Sequence, residues 1–177
     1  MRVLLCFITL SIVLFIFLLI YTFYEAPEYN LDNKVQGQCN ISESIKHCGA
    51  CGQCSTVQDY TTYHEKRNTL TEIARGCAFQ DFVGTSKECF VDAGLTGACA
   101  DCWIENVKCD REHCVFPCIF ETIFNMNSNV RDSLSKCFAC DEYYCLDIFI
   151  DCAGMSRRRA GITTDIERDK SEICTIK

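Results

Sequence analysis

The sequence predicts a mainly α protein: an N-terminal transmembrane helix followed by a disulfide-stapled helical ectodomain. Three observations lead there. An uncharged apolar run opens the chain, cysteine is heavily used after it, and apolar residues recur at helical rather than strand spacing.

Val3 to Phe23 contains no charged residue. As a helix those residues reach about 31 Å, the thickness of a bilayer's hydrocarbon core. A cleaved signal peptide has a shorter apolar region, roughly 7–15 residues, ending in small residues. Here the run ends in Tyr21-Thr22-Phe23-Tyr24, an aromatic end suited to a membrane interface. Residues 1–24 are therefore read as a retained signal-anchor. Arg2 precedes the span and Glu25, Glu28 and Asp32 follow it, so the N-terminus is expected in the cytoplasm and the body in the lumen, outside the cell or within a virion. The lipid bilayer is thus one expected partner. Polar residues 25–38, without a clear period, read as a stalk, and 39–177 as one cysteine-rich helical domain.

The chain has 17 cysteines. Cys6 lies in the apolar run. The others are Cys39, Cys48, Cys51, Cys54, Cys77, Cys89, Cys99, Cys102, Cys109, Cys114, Cys118, Cys137, Cys140, Cys145, Cys152 and Cys174. An even number at this density is the signature of a disulfide scaffold in an oxidising compartment, although spacing leaves the pairing open. The sequon Asn40-Ile41-Ser42 makes Asn40 a glycosylation candidate and agrees with export.

Helix signals follow in order. Thr69 with Glu72 forms a capping box for a helix carrying Leu70, Ile73, Ala74 and Cys77, with Gly84 as its stop. Thr85 with Glu88 opens a shorter one ending near Gly94. Thr96 caps a third, on which Cys99, Cys102, Trp103 and Asn106 share a stripe. Asp110 caps a fourth through Cys114 and Cys118, bent or split by Pro117. Ser128 or Asn129 opens a fifth with Val130, Leu134, Cys137 and Phe138 inward, and the last carries Cys145, Ile148, Phe149 and Cys152 up to Gly154. Cysteines on apolar stripes imply bridges from helix to helix.

Charge narrows the partners. The net charge is −7, yet residues 155–177 carry six basic against four acidic side chains. No basic footprint for nucleic acid extends over the body. The densest positive point is Arg157-Arg158-Arg159, a candidate contact for an acidic partner or an anion. The alternative is pairing with the body's own carboxylates. An unidentified protein partner is expected.

Catalytic constellations are weak. Cys48/Cys51/Cys54, Cys99/Cys102 and Cys137/Cys140 have the spacing of redox dithiols or metal ligands. No βαβ pattern accompanies them, and the pairs at 99 and 137 stand too far apart for a zinc site. Cys109-Asp110-Arg111-Glu112-His113-Cys114 is similar to the histidine helix of secreted phospholipases A2, but Asp110 and Cys114 replace a cysteine and the calcium-holding aspartate of that pattern. No catalytic residue, metal or cofactor is assigned. The expected role is a structural or interaction protein, with a thiol–disulfide oxidoreductase using a CxxC pair as the alternative.

The segments Cys48-Gly49-Ala50-Cys51-Gly52-Gln53-Cys54-Ser55, Asp59-Tyr60, Leu70-Thr71, Cys109-Asp110 to Cys114, and Cys152-Ala153-Gly154-Met155-Ser156-Arg157-Arg158-Arg159-Ala160-Gly161-Ile162 carry a resemblance. With them the chain resembles uncharacterised cysteine-rich, membrane-anchored proteins of algae, other protists and their large DNA viruses. That resemblance implies no activity and adds a virion membrane to the possible settings.

Overall fold

The computed structural model describes residues 2–24, 52–81, 84–124 and 135–163. The expected stalk, Cys39, Asn40, Cys48, Cys51, Cys174 and the helix start at Ser128 or Asn129 lie outside the described residues. Within them the chain forms eight helices and no strand: α1 (Arg2–Phe23), α2 (Val57–Glu65), α3 (Leu70–Gln80), α4 (Ser86–Asp92), α5 (Gly97–His113), α6 (Val115–Phe124), α7 (Lys136–Tyr144) and α8 (Leu146–Ala153). The mainly helical reading holds.

α5 is the axis of the domain. Thr96 caps it as expected, accepting from Cys99 N at 3.3 Å. Its residues Cys99, Cys102, Trp103, Asn106 and Cys109 recur at three- and four-residue steps and are all buried, so one face looks inward along its whole length. α3, α4, α6, α7 and α8 pack around it. Trp103 sits at the centre, with Phe90 of α4 at 5.6 Å, Phe149 of α8 at 5.1 Å and Tyr63 of α2 at 6.3 Å between ring centroids. Its indole N–H donates to Tyr63 Oη at 3.0 Å, which satisfies the polar edge of a buried ring.

Among the described residues six disulfides cross this arrangement: Cys54–Cys99, Cys77–Cys89, Cys102–Cys152, Cys109–Cys145, Cys114–Cys140 and Cys118–Cys137. All twelve belong to the set that the sequence expects in bridges. A density of this kind belongs to an oxidising extracellular or lumenal compartment.

Local expectations needed correction where a side chain found a different partner. Thr69 and Thr85 stand at the starts of α3 and α4, but neither side chain makes the capping bond. Thr69 Oγ1 donates to Lys66 O, and Glu72 pairs with Arg75. Asp110 caps nothing: α5 runs through it to His113, and Asp110 lies on its inner side. The break falls at Cys114, which leaves Pro117 in the first turn of α6, where a missing N–H costs no helical bond.

α2 was not anticipated. Its sequence is polar, and its start is fixed by Thr56, whose hydroxyl accepts from Asp59 N at 3.1 Å. Fully buried Asp59 then accepts from Thr96 N at 2.7 Å and Thr96 Oγ1 at 2.9 Å, tying the starts of α2 and α5 together.

The expected transmembrane segment is present as a helix of 22 residues. From Thr9 through Ile20 every side chain of α1 is exposed. Among the described residues, nevertheless, no helix is long and apolar enough to cross a membrane; in α1 the described side chains are Phe7 and those from Thr9 on. The fold establishes the helix and not its crossing of a bilayer. The far end of α1 docks on α6: Phe17 stacks on Phe116 at 5.7 Å and Tyr21 on Phe120 at 4.8 Å. Tyr21 Oη donates to buried Glu121, and Lys136 Nζ donates to Tyr21 O at 2.7 Å.

Residues 52–55 close the fold over the end of α8. Gln53 N and Cys54 N donate to Cys152 O and Ala153 O at 2.8 and 3.3 Å. A Cβ on Gly52 would lie 2.2 Å from the backbone of Ala153 and Gly154, so only glycine allows this approach. Gly52→Ala is expected to lower stability by about 1–3 kcal/mol, as overpacking against fixed backbone does. A urea unfolding curve indistinguishable from that of the parent chain would contradict the close packing.

Candidate functional site

The helical stripe of α5 that carries the cysteines also carries two polar residues. Asn106, 2% exposed, and Asp110, one turn later, face the same way as Trp103 and Cys109. Opposite them α7 presents buried Asp141. Asn106 Nδ2 donates to both carboxylates, to Asp141 Oδ1 at 2.8 Å and Asp110 Oδ2 at 3.1 Å. Asn106 Oδ1 and Asp110 Oδ1 are buried and have no hydrogen-bond partner.

The counter-charge comes from the arginine run. Gly154, at φ 94°, ends α8 in the left-handed conformation, and Ser156 then opens a turn. Its backbone closes through Ala160 N to Ser156 O and Ile162 N to Arg157 O, both 3.1 Å. This turn points Arg157 inward, where its guanidinium pairs with Asp141. It also stacks over Phe149 and Trp103, at 5.2 and 5.8 Å. Burial works against the charge of Arg157, but Asp141 and Asp110 outweigh it and hold the group protonated.

Two carboxyls thus face one guanidinium. Burial, and after it the charge of Asp141, push Asp110 well above the usual carboxylate range, with Arg157 pulling partly the other way. Beside this cluster lies a cavity of about 210 Å³ between α3, α5, α6, α7 and the start of α8. Ala74, Ala78, Val107, Ile119, Phe138 and Leu146 make its walls apolar, and Asn106, Asp110, Asp141 and Arg157 also line it.

The residues singled out from sequence are dispersed. Of the three arginines, Arg157 makes the internal pair that stood as the alternative to a partner contact, Arg158 is partly buried and engaged, and Arg159 is exposed. Among the described residues no CxxC pair closes on itself. Cys99 and Cys102 bond to Cys54 and Cys152, and Cys137 and Cys140 bond to Cys118 and Cys114. His113 ends α5, exposed and stacked on Tyr144 at 4.9 Å. Asp110, Cys114 and Cys145 bring ligand-type atoms within 4.8 Å of one another, but both sulfurs are consumed in disulfides and offer no thiolate to a metal.

Sequence reasoning missed Asp110 and Asp141 as buried groups. For Asp110 a signal existed: it falls on the same period as Cys99, Cys102, Asn106 and Cys109, and a carboxylate on a buried stripe requires a partner. For Asp141 the single sequence carries no comparable mark.

Because its folded value is raised, Asp110 keeps a proton that the unfolded chain releases. Its contribution to stability is therefore complete below about pH 4, the ordinary aspartate value, and is lost as pH rises towards the folded value. Asp110→Asn should remove this loss, leaving a variant at least as stable as the parent at neutral pH, with the difference growing from pH 4 upward. Urea midpoints measured across that range test it; parallel curves would mean that Asp110 ionises as freely folded as unfolded. Arg157→Met, which leaves the buried acids without their cation, should instead cost about 3–5 kcal/mol.

No curated protein and no solved structure matches the chain. Residues 83–176, just over half of the sequence, match the model of a family of unknown function (DUF8771). The match takes in α4 to α8, the arginine turn and all four members of the buried cluster. The chain belongs to this family.

Proposed function

We propose that the protein is a membrane-anchored, disulfide-rich structural or interaction protein, its helical domain held at the outer or lumenal face of a membrane by α1. The observation that carries this reading is the unbroken apolar girth of α1. Every side chain from Thr9 through Ile20 is exposed, and contact with the domain is made at the far end, where Phe17 and Tyr21 meet α6. A helix apolar on every side has no stable place in water, and a bilayer accounts for it. Lys136, whose ammonium lies 4.5 Å from the centre of the Tyr21 ring, and Glu121 supply the polar groups expected where such a helix leaves the apolar layer.

An interaction role is favoured over thiol chemistry by the bonding of the CxxC cysteines. A dithiol enzyme cycles between two neighbouring sulfurs, with one of them accessible. Here the two sulfurs of Cys99/Cys102 and of Cys137/Cys140 bond to separate cysteines elsewhere in the chain, and Cys99, Cys102 and Cys140 are fully buried. Exposed Arg159 is the member of the arginine run best placed to meet an acidic partner. The setting is a cell surface, a secretory lumen or, as the resemblance to viral and protist proteins suggests, a virion membrane.

Alkaline carbonate extraction of membranes from cells making the full chain tests the anchor. The protein should stay with the lipid pellet; release into the supernatant would overturn the reading. Reduction of insulin disulfides by the purified chain, at rates typical of thiol oxidoreductases, would favour the enzymatic alternative instead.

A further inference from the structure

Access divides the described disulfides. Cys54–Cys99, Cys109–Cys145 and Cys114–Cys140 are buried at both ends, Cys77–Cys89 at Cys77 and Cys102–Cys152 at Cys102. Among the described residues Cys118–Cys137 alone has neither end buried, and both of its cysteines line the cavity.

Thiol–disulfide exchange needs a thiolate to reach one sulfur and the other sulfur to leave as a thiolate. Cys77 and Cys102 belong to the hydrophobic core with Leu70, Phe90 and Trp103. Attack at Cys89 or Cys152 would expel a thiolate into that core, where charge is stripped of water, and attack at the buried ends has no approach. At Cys118–Cys137 both the approach and the departure face solvent.

This bond is also the one described bridge that ends on α6, and it does not touch α5. α6 is the helix on which Phe17 and Tyr21 of α1 dock. Without the bond, two hydrogen bonds tie this joint to the start of α7. Cys137 N donates to Glu121 at 3.3 Å, and Lys136 Nζ donates to Tyr21 O at 2.7 Å. Cys114–Cys140 still fastens the residue before α6, so the loss is local.

We propose that Cys118–Cys137 is a regulatory disulfide, reduced by an external dithiol, and that its reduction loosens α6, with α1 docked on it, from α7 while the α5 bridges stay closed. A thiolate of the reductant bonds to one sulfur of the bridge, the S–S bond breaks, and the other sulfur leaves as a thiolate and takes up a proton. The reductant's second thiol, giving up its proton, then closes on the first and expels the remaining cysteine thiolate, which is protonated in turn. Two electrons pass from the dithiol, which ends as a disulfide, to the bridge, which ends as two thiols. The site lies within the domain and does not depend on α1 crossing a membrane.

Dithiothreitol is the probe. The full chain in mild detergent is exposed to rising concentrations, alkylated, and mapped by mass spectrometry. Cys118 and Cys137 should be alkylated while the other five described bridges remain linked. Any of those five opening before Cys118–Cys137, or together with it, would overturn the proposal. Hydrogen–deuterium exchange on the chain reduced at this one bridge should then be faster in α6 by about tenfold or more, with α5 unchanged. Unaltered exchange in α6 would contradict the release, and equal acceleration in α5 would mean general unfolding in its place. The double substitution Cys118→Ser with Cys137→Ser should show the faster α6 exchange without any dithiol; exchange as slow as in the oxidised parent would likewise overturn the proposal.

Discussion

The cross-linking of α5 is the constraint on which the rest of this structure depends. Four of the six described disulfides end on α5 or on Cys114 just beyond it, and they reach in turn the segment before α2, the end of α8, the junction of α7 with α8, and α7 itself. They close loops of 45, 50, 36 and 26 residues. In the chain-entropy account each such closure is worth about 3–4 kcal/mol, against a typical total stability of about 5–15. Short helices such as α4 and α8, with seven and eight residues, would not persist in water by themselves. Here they need only pack against an axis to which the chain is already tied.

The same scaffold explains how the domain tolerates charge in its interior. Asn106, Asp110, Asp141 and Arg157 stand among Trp103, Phe149 and disulfide sulfurs, a setting in which every unmatched polar atom is penalised. Cys109–Cys145 and Cys114–Cys140 bracket Asp110 and Asp141, fixing α5 against α7 on either side of them. Cys102–Cys152 holds the end of α8, from which Arg157 departs. With those three elements fixed, the guanidinium reaches its carboxylate without a further ordering cost, and the buried Asn106 Oδ1 and Asp110 Oδ1 stay in place without partners of their own.

Periodicity made the architecture legible in the sequence, and it failed where two physical causes leave the same mark. The stripe Cys99, Cys102, Trp103 and Asn106 emerged because burial of one helix face repeats every three to four residues. Gly154 was readable as a stop because a left-handed residue after a helix favours glycine. Asp110 was misread because an aspartate before an apolar run looks like a cap, whereas here it answers a partner on another helix. Thr69 and Thr85 occupied the expected places but spent their hydroxyls elsewhere. α2 escaped notice because it is held by Asp59 reaching across to Thr96, a contact between residues 37 apart. The pairing of sulfurs and the inward turn of Arg157 are likewise long-range, and spacing along the chain does not encode them.

The connectivity itself is the most direct measurement. Native chain, alkylated and digested without reduction, should yield linked peptides joining Cys54 to Cys99, Cys102 to Cys152, Cys109 to Cys145 and Cys114 to Cys140, with Cys77–Cys89 and Cys118–Cys137 beside them. Peptides in which Cys99 is bonded to Cys102, or Cys137 to Cys140, would contradict the account, because α5 would then no longer be the axis to which the other helices are fastened.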